Sequence, residues 1–227
     1  MINKFTYLKN HTKFTDNIIH KKRYEILSNI KKELINNDFK DILDIGTTAD
    51  NSESSNLIIK NLKNYETYKS ISNQKITSNL FSKKLKKSIT EDFTSNQLEE
   101  FRSDVIISNA TIEHVGNKKH QLKMLKNIIK LTKKIFIVIT PNRLHPIEFH
   151  TKIPFIHWLP KKIHRQILSV IGQKYLSEEK NLNLLKKNNL VNMMKNFKNI
   201  EFKFRYVKFL MINSNIILIG KKKISLS

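Results

Sequence analysis

The sequence contains no cysteine, which excludes disulfides, thiolate-bound zinc and cysteine nucleophiles. Glycine and proline are scarce, with four of each among 227 residues. All four prolines (Pro141, Pro146, Pro154 and Pro160) fall in one short stretch, which marks irregular structure there. No apolar run approaches the ~20 residues that span a bilayer, so no transmembrane segment is expected. The first residues, Met1-Ile-Asn-Lys-Phe, lack the apolar core and cleavage site of a signal peptide. A cytoplasmic protein is expected on these grounds. Acidic residues are the minority: 19 Asp+Glu face 42 Lys+Arg, a formal charge of +23. Arginine is rare as well, limited to Arg23, Arg102, Arg143, Arg165 and Arg205.

What is present is enough apolar residue, 39%, for a core, and a length suited to one domain. The excess charge is lysine, and lysine, asparagine and isoleucine are used heavily throughout. Codon bias in an AT-rich genome accounts for that composition. Lysine-rich surface would still support weak peripheral association with anionic lipid, at the inner face of a membrane, or with nucleic acid at low salt. Oligomeric state is left open.

The order of elements is α/β. Residues 16–36 read as an amphipathic helix with Asp16 as N-cap, followed by a short strand over 41–45. A helix over 54–64, a weaker strand over 66–71, and another short strand before Glu91 come next. A strand over 104–108 precedes the clearest helix, 118–133, in which Leu122, Met124, Leu125, Ile128, Ile129 and Leu131 share one half of the wheel. Ile135-Phe-Ile-Val-Ile139 is apolar at every position, as a strand covered on both faces should be. Two strands, 200–210 and 215–220, close the chain. This alternation predicts a mostly parallel sheet with helices on both faces.

In such sheets ligands sit at the carboxyl ends of strands. Three strand ends carry suitable residues: Asp44-Ile-Gly46-Thr47, then Glu91-Asp92, then Ser108-Asn109-Ala110-Thr-Ile-Glu113-His114-Val. Together with Phe136-Ile-Val-Ile-Thr-Pro-Asn-Arg143, Pro146-Ile-Glu148-Phe-His150-Thr, His157-Trp-Leu-Pro160, Glu178 to Leu184 and Ser214 to Gly220, this run resembles a class I S-adenosylmethionine-dependent methyltransferase. The similarity is to a type 11-like bacterial subfamily and covers residues 38–221. It implies a Rossmann-like, seven-stranded sheet of order 3-2-1-4-5-7-6 with strand seven antiparallel. It also implies S-adenosyl-L-methionine as cofactor. By the resemblance, Asp44, Gly46 and Thr47 would line its methionine and ribose side, with Ser72 or Asn73 standing where an acid usually holds the ribose. Glu91 or Asp92 would lie near the adenine, and Asn109 with Ala110 beside the sulfonium. The loop Gly46-Thr-Thr-Ala-Asp50 has one glycine where the family commonly has several.

A single domain over 1–227 is expected, with 1–37 as a helical extension and 141–190 as an acceptor-side insertion between strands five and six. Histidine is the natural general base for an oxygen or nitrogen acceptor. His150 beside Glu148 is the first candidate, followed by His145 and His114. Histidine spacings of five, seven and seven along 145–164 form no i, i+4 ligand pattern, so no metal is expected. Pro160 to Gly172 reads as a helix with apolar residues on one face flanked by Lys161, Lys162 and Arg165: a lid, or a surface for anionic lipid. The expected activity is methyl transfer to a small-molecule or carbohydrate-like (glycan) acceptor, with a lipid-linked acceptor in view. The alternatives are a nucleic-acid methyltransferase and a non-catalytic scaffold of the same fold.

Overall fold

The computed structural model describes residues 13–35, 37–50 and 55–223. Its strands are β1 (Asp41–Ile45), β2 (Thr67–Ser72), β3 (Lys83–Lys86), β4 (Ser103–Asn109), β5 (Thr132–Pro141), β6 (Ile200–Phe209) and β7 (Ile212–Lys222). They form one sheet of order β3-β2-β1-β4-β5-β7-β6. The first five strands are parallel to one another, and β7 runs antiparallel to both β5 and β6. The expected fold is the observed one.

The strands alternate their side chains between two apolar layers, as a period of two requires. Ile106, Phe136 and Val138 enter one core together with Met124, Leu125 and Ile128 of α4 (Lys118–Leu131). Val105, Ile107, Ile135, Ile137 and Ile139 enter the other with Ile26, Leu27 and Ile30 of α1 (Lys13–Leu34). The helix at the N-terminus is thereby a structural layer of the sheet. Asp16 stands inside it, since the helix already begins at Lys13. Buried Glu33 fixes its end to β6, with Arg205 Nε at 2.5 Å and Lys203 Nζ at 2.8 Å. Burial would raise the Glu33 pKa, but these two cations more than offset it and hold the carboxyl below its usual range.

The helix expected over 54–64 is only α2 (Leu57–Asn61), because Leu62 is already extended; its expected start at Ser54 lies outside the described residues. Three helices went unread in the sequence: α3 (Ser95–Phe101), α6 (Lys174–Ser177) and α7 (Lys187–Met194). For α3 a signal exists, since Thr94 and Gln97 form a reciprocal capping box. Between β5 and β6 the chain folds α5 (Lys161–Val170) and α6 (Lys174–Ser177) over a small core of Leu168, Leu176, Leu182 and Leu184.

Gly220 faces Phe136 directly in the β5–β7 register. A Cβ there would lie 2.2 Å from the Phe136 ring, which is fully buried and has nowhere to go. Gly220→Ala is therefore expected to destabilise the protein by about 2 kcal/mol, lowering Tm by roughly 4–8 °C. Combining it with Phe136→Leu should cost less than the sum of the two, as denaturant melts of the four-protein cycle would read.

α5 also buries His164, whose Nε2 has no hydrogen-bond partner among the described residues. Burial lowers its pKa to about 4; Arg143, Arg165 and His157 add to the effect and Glu148 opposes it. The unfolded chain, with an ordinary histidine near 6.5, then binds the proton more readily. Stability from this residue is complete above pH 6.5 and is lost as the pH falls toward 4. The loss amounts to about 2 kcal/mol by pH 5. Urea unfolding at pH 7.5 and pH 5 should show a smaller acid penalty, by about that amount, in His164→Leu than in the parent.

Candidate active site

The sheet order reverses between β1 and β4, and the loops leaving these two strands part there. Gly46 ends β1 in a left-handed turn with φ +89°, and a Cβ on it would stand 2.1 Å from Thr111 Oγ1. Glycine is required at this position both for its dihedral and for the approach of the β4 loop. Its amide donates to Ile71 O at 2.9 Å. Thr48 N donates to Asn56 Oδ1 and Asn56 Nδ2 to Thr48 O, both at 3.0 Å, tying the two ends of the loop together.

Asp44 is buried under this loop, and Thr47 Oγ1 donates to its Oδ2 at 2.6 Å. Burial raises the Asp44 pKa to about 6, against the lowering effect of that hydroxyl. Among the described residues no cation enters this balance. A buried anion in this state is suited to a positively charged ligand.

The next strand ends divide the expected residues. Ser72 is buried; its hydroxyl donates to Thr47 O at 2.7 Å and accepts from Gln74 N at 3.1 Å. It braces the β1 loop, and Asn73 is the exposed polar side chain beyond β2. After β3, Glu91 Oε1 accepts from Ser88 N at 3.1 Å, capping its own turn. Asp92 is exposed and paired with Lys123 of α4. Asn109 and Ala110 are exposed at the end of β4, with Ala110 at φ 51°. The structure thus gathers Asp44, Gly46, Thr47, Asn73, Asn109 and Ala110 along the ends of β1, β2 and β4, while the carboxylates of Glu91 and Asp92 serve local contacts.

Immediately after β4 a short 3-10 turn, Ile112–His114, carries the most concentrated chemistry. His114 Nδ1 meets Asn181 O at 2.6 Å, and its Nε2 meets His150 Nε2 at 3.1 Å. His150 Nδ1 lies 2.5 Å from Glu148 Oε1. Glu148 is buried and its oxygens also accept the amides of His150 and Thr151 at 2.9 and 2.6 Å. Burial would raise its pKa, yet the histidine and these hydrogen bonds hold it at about 2. Burial would depress His150, but Glu148 more than offsets it and leaves His150 above its ordinary value. For His114 burial prevails and the pKa is lowered, against the pull of Glu113.

Glu113 is fully buried beside them. Its Oε2 accepts from Thr140 Oγ1 at 2.9 Å, and its Oε1 has no partner among the described residues. The strap 181–185 holds this turn in place: Asn183 N donates to Glu113 O at 2.7 Å and Asn183 Nδ2 to Gly116 O at 2.8 Å. Glu113 lies in the run from Ser108 to Val115 read as a suitable strand end, but the sequence assigned no role to it, nor to Thr140 or Asn181. Glu113 was readable, since it adjoins His114; the other two become neighbours only through the fold. His145 does not join the cluster. It stacks on Phe149 and spends its ring nitrogens on Ile147 O and Phe209 O, at 2.9 and 3.3 Å.

Beyond the strap a shallow cleft open to solvent is lined by Arg143, Lys161, His164, Arg165 and Leu182 to Leu184. Arg143 is anchored there by donating to His157 O and Leu159 O at 3.0 and 2.9 Å. A basic cleft therefore adjoins the histidine–carboxylate cluster through Asn183.

No protein-family model matches the sequence, and no curated protein matches it. Solved structures do. Magnesium protoporphyrin IX methyltransferase from Synechocystis PCC 6803, with bound SAH, superposes with a TM-score of 0.56 at 8% identity, covering 96% of this chain and 91% of that one. The N-methyltransferase NodS from Bradyrhizobium japonicum WM9 gives 0.52 at 9% identity over 91% and 98%. The small RNA methyltransferase HEN1 gives 0.58 at 14% identity, covering 89% of this chain and 25% of its own. With the sheet order and the antiparallel β7, these likenesses establish that the chain has the Rossmann-like methyltransferase fold.

Proposed function

We propose that the protein transfers a methyl group from S-adenosyl-L-methionine to an oxygen- or nitrogen-bearing acceptor of small, carbohydrate-like and anionic character. The observation that carries the cofactor half is Asp44, a buried carboxylate without a cationic neighbour among the described residues, at the reversal point of the sheet. Its surroundings fit the cofactor: an acceptor for a charged ammonium group, a backbone opened by Gly46, and exposed amides of Asn73 and Asn109 for hydroxyls. S-adenosylmethionine, when bound, supplies an electrophilic methyl group on a sulfonium and leaves as a neutral thioether. The chain's own residues position the two reactants in line and receive the acceptor's proton. That second role falls to the Glu113–His114–His150–Glu148 cluster, which follows directly on the β4 loop.

The basic cleft of Arg143, Lys161 and Arg165 supports an acceptor carrying phosphate or carboxylate. Next to it Phe155, Trp158, Ile163 and Val170 are exposed, the last at 87%, on and before a helix that carries Lys161, Lys162 and Arg165. Aromatic and aliphatic side chains beside cations suit the face of an anionic bilayer, which favours a lipid-linked acceptor and peripheral attachment.

Calorimetric titration with S-adenosylhomocysteine tests the reading. Micromolar binding is expected, at least tenfold weaker in Asp44→Asn. The same substitution should stabilise the ligand-free protein. With a folded pKa raised to about 6 from 3.8, Asp44 loses stability as the pH rises through 6. The variant's advantage should approach roughly 3 kcal/mol at pH 8 and vanish below pH 4. No binding up to millimolar ligand would overturn the proposal and leave a scaffold of this fold. Labelled-methyl transfer to an RNA oligonucleotide, with none to glycosyl phosphates, would replace the acceptor class.

A further inference from the structure

The geometry points to a divalent metal site formed by Glu113 Oε1, His114 Nε2 and His150 Nε2. The partners of the two rings fix their tautomers. Asn181 O can only accept, so His114 Nδ1 carries a hydrogen and the Nε2 of the neutral ring is a bare lone pair. Glu148 Oε1 and Oε2 each accept a backbone amide, so the carboxylate acts as acceptor and its contact with His150 is made by a hydrogen on Nδ1. The two Nε2 atoms nevertheless face each other at 3.1 Å. Two lone pairs at that distance need a positive centre between them, either one shared proton or one metal ion.

The third group separates these cases. Glu113 Oε1 is fully buried, has no partner among the described residues, and lies 4.0 Å from His114 Nε2. A proton shared by the histidines leaves this oxygen unsatisfied, at a cost that buried polar atoms rarely bear. A metal ion serves all three atoms. The three ligand atoms lie within 4.8 Å of one another. Ligands about 2.1 Å from a common ion stand roughly 3.4 Å apart in a tetrahedron, so closing the site takes a movement of about 1 Å. Each first ligand already has the support that ligating groups require. Glu148 orients His150, Asn181 O orients His114, and Thr140 orients Glu113. Two histidines and one carboxylate suit a first-row divalent cation such as Zn²⁺, Mn²⁺ or Co²⁺ and leave positions open for another ligand.

The histidine spacing gave no hint of this, because His114 follows β4 and His150 lies beyond β5. The metal site itself stands apart from the methyl-transfer reading. Its use rests on that reading and changes one part of it: with an ion on both Nε2 atoms the histidines would no longer take the proton, and the ion's open positions would instead hold an acceptor hydroxyl and lower its pKa, selecting an oxygen-rich acceptor.

The full-length protein, stripped with chelator and dialysed, would be titrated with ZnCl₂, MnCl₂ and CoCl₂ by calorimetry, and with CoCl₂ by visible absorption. One ion per chain and a cobalt d–d spectrum are expected. Affinity should fall at least 100-fold in His150→Ala and in Glu113→Gln, and about tenfold to 100-fold in Glu148→Gln, which removes only support. His120→Ala, an exposed histidine outside the trio, should bind as the parent does. Thermal melts identify any variant that fails to fold, and the Glu148→Gln series then carries the comparison. Failure of all three ions to bind the folded parent, or binding unchanged in Glu113→Gln, would overturn the inference in favour of a shared proton. A parent that binds S-adenosylhomocysteine but none of the three ions would contradict this site alone, whereas one that binds an ion but no S-adenosylhomocysteine would contradict the methyl-transfer reading alone.

Discussion

Carboxylates taken out of water must recover the lost solvation from something, and this protein buries three of them along one edge of its sheet. Glu148 recovers it in full from an imidazole and two backbone amides. Asp44 recovers a part from a single hydroxyl. Glu113 recovers half, with one oxygen on Thr140 and the other bare. Anions held this way are costly to a fold that needs no ligand, and their shared position at the carboxyl ends of β1, β4 and β5 gives that cost a purpose. The incomplete ones face the two places for which positively charged partners are proposed: a sulfonium-bearing cofactor beside Asp44 and a metal ion beside Glu113.

The two halves are held together by packing as much as by charge. Gly46 lets the β1 loop close on Thr111, and Thr111 Oγ1 in turn donates to Ile45 O at 3.3 Å. Two and three residues further on, the loop after β4 delivers Glu113 and His114. The strap 181–185 then locks that turn from the other side, with Gln121 of α4 donating to Asn183 O at 2.8 Å. The insertion between β5 and β6 thus has two tasks. One face packs on the Glu113 turn, the side proposed for the acceptor, and the other presents exposed aromatic and aliphatic groups among cations.

The sheet was legible because its inner strands are apolar on both faces and its helices polar on one, a contrast that periodicity detects. Asp41–Ile45 and the Ile135–Ile139 core of β5 read directly for that reason. α3, α6 and α7 are only seven, four and eight residues long, too short for a helical period to stand out, so their existence rests on capping and tertiary contact. Within the site, residue type could be read but pairing could not. Asp44, His114, Glu148 and His150 stand out by chemistry. That His114 and His150 share one point in space depends on how β5 and the following loop return past β4, which no local pattern encodes. The same limit explains Ser72, whose hydroxyl turns inward to Thr47 O, and Asp92, which α4 claims through Lys123. His145 differs from His150 only in what surrounds it: stacking on Phe149 and two carbonyls leave it a structural part.

Hydrogen–deuterium exchange with and without S-adenosylhomocysteine tests the central claim most directly, because it locates the ligand without requiring an acceptor. The account predicts slowed exchange in peptides covering residues 44–50, 72–74 and 109–114, the ends of β1, β2 and β4, with β6 and β7 unchanged. Protection confined to other elements, or none at saturating ligand, would contradict the assignment of this edge of the sheet as the active site.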